Sequence, residues 1–227
     1  MSLQDVIVIW LDSTFKDSDY RSMKNEFNEN ITGSTPSSSC SDDIDNLICN
    51  QTKQDLITNG VLVFTVNTLE EAIETIEIYS QAKVFFISSG SLGKDIVPKI
   101  VGRFPLIHSF YIFCFKMVYH TGWASVYVDC LQMFDHPIDL LVRLMRDIST
   151  YFIAQGKMQL EFDEPRNALT YFKYAWNLET KANIRDKVPP NTKHKEEFIM
   201  QSDYRNSLNL LEGDGGLIRQ AEKALES

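Results

Sequence analysis

Residues 61–87 read VLVFTVNTLEEAIETIEIYSQAKVFFI. Two runs in this stretch, VLVFTV at 61–66 and KVFFI at 83–87, are rich in β-branched and aromatic residues and have almost no polar interruption. That is the pattern of strands buried on both faces. Between them Ala72, Ile73, Ile76 and Tyr79 recur at helical spacing, which predicts an amphipathic helix over 69–80. Thr68 precedes it as an N-cap. Glu70 and Glu71 fall in its first turn, where the helix dipole favours negative charge. A strand–helix–strand unit of this kind joins parallel neighbours.

The same alternation extends in both directions. Upstream, VIVIWL at 6–11 is another unbroken apolar run, followed by a polar segment with moderate helical potential over 17–30. Residues 32–59 are rich in Ser, Thr, Asn and Asp and cannot build a core, so they are expected to form a polar, disordered surface insertion. Downstream, Ser88-Ser89-Gly90-Ser91-Leu92-Gly93 leads into a short helix over 94–102, which Pro98 should weaken. SFYIFCF at 109–115 supplies a fourth strand, and 130–134 a fifth after a short connection around 121–127. Pro137 then opens a helix over 138–153, with Leu140, Leu141, Leu144, Met145 and Ile148 on one face. This order predicts an α/β fold: a five-stranded parallel sheet, flavodoxin- or receiver-like with strand order 2-1-3-4-5, and helices on both faces.

From residue 149 the pattern is helical. Tyr151, Phe152, Gly156, Ala168, Phe172 and Ala175 fall at spacings resembling one tetratricopeptide unit, although Thr180 stands where such a unit often has Pro. Pro189-Pro190 breaks the chain, 196–211 is expected to be helical, Gly213 to Gly216 to turn, and 217–225 to form a last short helix. The expected division is an α/β domain over 1–148 and a helical tetratricopeptide-like tail over 149–227.

The net charge of −9 over 227 residues repels phosphate backbones, so nucleic acid is not an expected partner. The most apolar later stretch, 104–119, is interrupted by His108, Ser109 and Lys116 and is too short to cross a bilayer. No basic, apolar leader opens the chain, and a cytoplasmic protein is expected. Cys40, Cys49, Cys114 and Cys130 show no CxxC pairing, so neither zinc nor redox chemistry is indicated.

In parallel α/β sheets, sites form where strands end. Asp12 follows the first strand, where receivers hold magnesium. The phosphate-accepting Asp that a receiver needs after its third strand is replaced by Ser88-Ser89, which removes phosphotransfer to Asp. Ser88, Ser89, Gly90, Ser91 and Gly93 could expose hydroxyls and backbone N–H groups to a small anion or nucleotide at a helix start. The stretch matches neither GxGxxG, nor a Walker loop, nor a GxSxG elbow. Cys114 ends the fourth strand, with His108 and His120 nearby in sequence; within so apolar a run it is expected to be an inert buried thiol. His136 flanks a helix start, and Trp10, Trp123 and Trp176 are expected to pack rather than stack on bases. These residues form no catalytic set and no metal site, and they call for no cofactor.

Trp10-Leu11-Asp12, VFFISSGSLG at 84–93, Ile96-Val97-Pro98-Lys99-Ile100 and SFYIFC at 109–114 followed by Trp123-Ala124 together resemble an amino-terminal module of large invertebrate multidomain proteins. Those proteins carry tetratricopeptide repeats, arginine-type ADP-ribosyltransferase domains, or both. The resemblance covers about residues 6–152. The transferase itself needs an Arg, a Ser-Thr-Ser-like strand and a Glu-x-Glu turn; Ser37-Ser38-Ser39 and Glu196-Glu197 do not make that set. The resemblance therefore implies association with such enzymes. The expected function is a non-catalytic regulatory or protein-interaction module that docks protein partners through its helical tail. The alternatives are a nucleotide- or phosphate-sensing domain using residues 88–93, and a truncated arginine ADP-ribosyltransferase whose NAD-dependent chemistry would need a larger chain.

Overall fold

The computed structural model describes residues 5–12, 60–186 and 205–226. Expectations for the 17–30 helix, the 32–59 insertion and the Pro189-Pro190 break lie outside the described residues. So do those for Cys40, Cys49 and most of the 196–211 helix. The described chain divides into two compact units, one ending at Leu141 and the other beginning at Val142.

In the first unit β1 (Val6–Leu11), β2 (Val61–Val66), β3 (Lys83–Ser89), β4 (Ile107–Phe113) and β5 (Leu131–Phe134) form one sheet of order β2-β1-β3-β4-β5. All four pairings are parallel. This is the 2-1-3-4-5 order expected of a flavodoxin-like sheet. The continuous apolar runs have their reason in position. Every residue of β1, inside the sheet, is buried, whereas β2 and β5, at the edges, are partly open.

One face of the sheet, carrying Ile7, Ile9, Leu11, Val84, Phe86, Phe110, Ile112 and Leu131, packs with α1 (Leu69–Ile78), α2 (Gly90–Ile100) and the β4–β5 crossover. The opposite face is buried too, with Val8, Trp10, Phe85, Ile87 and Tyr111 at 0–1% exposure. Burying a side chain of that size contributes about 1.5–3 kcal/mol, so both faces of the sheet stabilise the unit.

Local chemistry sets the element ends. Thr68 caps α1 as its composition predicts: its Oγ1 accepts from the Glu71 N–H at 3.1 Å, and the Glu71 carboxylate accepts from the Thr68 N–H at 3.3 Å. Helix α2 starts four residues earlier than the sequence pattern implies, because β3 runs to Ser89 and Gly90 is already helical. Pro98 therefore falls in its last turn, and Gly102 at φ 77° turns the chain away. The β4–β5 crossover is a 3-10 turn at Met117–Tyr119, the short helix α3 (Thr121–Ala124) and another 3-10 turn at Ser125–Tyr127.

Helix α4 (Pro137–Glu161) is one uninterrupted helix of 25 residues, longer than its expected end at 153. The expected domain boundary at 148/149 lies inside it. In the second unit α5 (Pro165–Asp186) folds back on α4: a Cβ at Gly156 would come within 2.4 Å of the Phe172 ring, so only glycine lets the two helices approach this closely. Phe152 packs against Tyr171 and Tyr174 across the same seam. Helices α6 (Arg205–Leu211) and α7 (Leu217–Glu226) follow, with Leu211, Leu217 and Ala221 buried. Among the described residues no helix is long and apolar enough to cross a membrane.

Candidate functional site

The strand order reverses direction between β1 and β3, and the carboxyl ends of that pair are where this fold class places ligands. Asp12 and the Ser88-Ser89-Gly90 stretch meet there, since Leu11 pairs with Ser88. Asp12 is buried, and its backbone N–H donates to the Val66 carbonyl at 3.0 Å, extending β1 by one residue. Ser88 is also fully buried, and its Oγ donates to the Ser89 carbonyl at 3.1 Å. Ser89 is the N-cap residue of α2 but makes no side-chain capping bond.

The Ser88–Gly93 stretch, the candidate anion loop, is a direct strand-to-helix junction, and side chains of the crossover lie on it. The His120 imidazole rests on Gly90, where a Cβ would lie 2.5 Å from Nε2 and 2.7 Å from Cε1. Trp123 donates its Nε1–H to His120 Nδ1 at 3.2 Å, which leaves Nε2 as the nitrogen that carries hydrogen. Three residues on, a Cβ at Gly93 would meet Ile112 Cδ1 at 2.7 Å and Trp123 Cη2 at 3.4 Å. Gly90 and Gly93 are thus glycines because an imidazole, an indole and an isoleucine occupy the space their side chains would need. Ser91 is exposed on the first turn.

The other singled-out residues disperse. Cys114 is buried just past β4, where its N–H donates to the Phe134 carbonyl at 2.8 Å. Burial, and then the nearby Asp135 charge, push its thiol above the ordinary range, the reverse of an activated nucleophile. Cys130 is raised in the same way by burial and Asp129. His108 lies near the amino end of β4, stacked on Phe85 with Nδ1 2.9 Å from Ser109 Oγ, whereas His120 follows the strand's other end. His136 offers its carbonyl to the Leu140 N–H at the start of α4. Trp10 is a core residue, and Trp176 donates to the Glu212 carboxylate. No group of three or more metal-ligating side chains occurs among the described residues. A shallow, open depression of about 210 Å³ lies at the opposite rim, lined by Asp5, Ile78, Tyr79, Gln81 and Ala82.

Two features were missed in the sequence. One is the His120–Trp123 pair, spaced i, i+3, which a helical reading of 120–124 would have placed on one side. The other is the outward side of the crossover, where Phe115, Val118, Tyr119, Val126 and Val128 are 72–82% exposed. Its signal was an apolar content too high for a plain connection. Comparison with family models, with curated proteins and with solved structures returns no match for this chain.

Proposed function

We propose that this chain is a non-catalytic regulatory or protein-interaction module. The observation that carries the proposal is the β4–β5 crossover. Its inner side chains close over the α2 start, while five large apolar side chains point outward from it. Exposed apolar side chains concentrated in one short segment mark a candidate docking site. The acidic balance of the chain favours a partner with a basic rim. The helical tail, with Met158 and Phe162 exposed near the end of α4, is the second docking element. The resemblance to modules of ADP-ribosyltransferase-associated proteins fits a signalling role within a larger assembly.

Quantitative affinity capture would compare three full-length chains: the wild type, Val118→Asp/Val126→Asp, and Met158→Asp/Phe162→Asp. A partner bound by the wild type and lost by at least one variant is expected. Equal recovery by all three would reject both surfaces and the module reading with them.

A further inference from the structure

Glu179 sits on the buried stripe of α5 formed by Ala175, Leu178 and Ala182, and is itself fully buried. Neither of its carboxyl oxygens has a hydrogen-bond partner among the described residues. Arg146, Asp147 and Ser149 approach it from α4. Arg146 directs Nη2 to Asn183 Oδ1 at 3.2 Å. Asp147 accepts from Arg143 Nε at 2.9 Å and works against ionisation of Glu179. Ser149, fully buried, donates its hydroxyl hydrogen to the Ala175 carbonyl at 3.1 Å. Left unpaired inside the seam, the Glu179 carboxyl costs far less as the neutral acid than as a carboxylate.

We propose that Glu179 is a proton-operated latch between α4 and α5, closed when the acid is neutral and loosened when its proton leaves to water. Burial, the largest influence, raises its pKa from the ordinary 4.5 to about 7; Arg146 and Ser149 oppose the rise and Asp147 adds to it. Helix α7 also packs on α5; its Arg219 and Glu222 pair with each other at 3.1 Å, and its Lys223 and Glu226 are exposed. Glu212, past α6, is engaged by Trp176. Deprotonation thus creates a buried negative charge that Arg146 offsets in part and Asp147 opposes, and opening the seam to water relieves what Arg146 does not.

Two measurements on the full chain test this. Glutamate side-chain carboxyl ¹³C shifts, with Glu179 assigned by the signal missing from Glu179→Gln, should show a midpoint near 7; a midpoint near 4.5 would overturn the proposal and needs no folded variant. Proteolytic cutting within residues 142–186, compared between wild type and Glu179→Gln at the same pH, should be equal at pH about 5 and about a hundredfold faster in the wild type at pH about 8. Equal rates at both pH values would remove the latch even if the midpoint is high.

Discussion

Ser88 and Glu179 are both fully buried polar residues, one in each unit, and their surroundings treat them in opposite ways. Ser88 gives its hydroxyl hydrogen to the adjacent Ser89 carbonyl, so β3 carries it into the core with its donor satisfied. Glu179 has no such partner, and its seam tolerates it as a neutral acid. The two units repeat the contrast in their glycines. Gly90 admits His120, a ring held in place by a hydrogen bond from Trp123; Gly156 admits Phe172, a ring held by packing alone. Ser88 is fixed by a backbone carbonyl, which has no titratable proton, whereas the helical unit carries a buried acid whose charge state decides how well the seam closes. The loss of stability that ionisation of Glu179 brings between pH about 5 and about 8 should fall on the second unit.

The largest effect is expected from the sheet core. Phe86 is fully buried against Phe110 with ring centroids 5.8 Å apart, and Phe86→Ala should cost about 3–5 kcal/mol in urea unfolding of the first unit. A loss below about 1 kcal/mol would mean that this face is not the core.

Next comes the acid. A carboxyl whose folded pKa is raised stabilises the fold fully below its unfolded value of 4.5, and the contribution disappears as pH rises to about 7. The helical unit should lose about 3 kcal/mol over that window, and Glu179→Gln should flatten the slope. An Asp147→Asn variant should shift the midpoint downward, because it removes the charge that opposes ionisation.

Smaller again is the junction. Gly90→Ala places a methyl group against the His120 ring and should cost about 1–3 kcal/mol. His120→Ala in the same chain should recover most of it, and a double-mutant cycle with no coupling would show that the imidazole does not rest there. Thr68→Ala, which opens the capping box of α1, should cost about 1 kcal/mol by thermal melting.

Much of the sheet could be read directly, because each strand is an apolar run bounded by polar residues and alternation with helices implies parallel pairing; the order 2-1-3-4-5 is that of the closest simple template. The α2 start could not. Ser89-Gly90-Ser91-Leu92-Gly93 has the composition of a loop, and what makes it helical is tertiary: His120, Trp123 and Ile112 pack where side chains would otherwise project. For the same reason residues 88–93, chosen from composition as an anion loop, meet the structure as a close-packed junction. The position of β4, Ile107–Phe113 rather than 109–115, was displaced because His108 interrupts the run yet stacks on Phe85 inside the sheet. Glu179 was legible in principle, since 175, 178, 179 and 182 form one helical stripe, but charged residues on such stripes are usually taken to sit at the margin.

Residue-resolved amide hydrogen exchange on the full chain at pH about 5.5 and about 8, corrected for intrinsic rates, tests the contrast between the units most directly. The strands β1, β3 and β4 should keep their protection at both pH values while amides of 142–186 lose about tenfold or more at the higher one. Equal behaviour of the two regions, whether both steady or both falling, would contradict it.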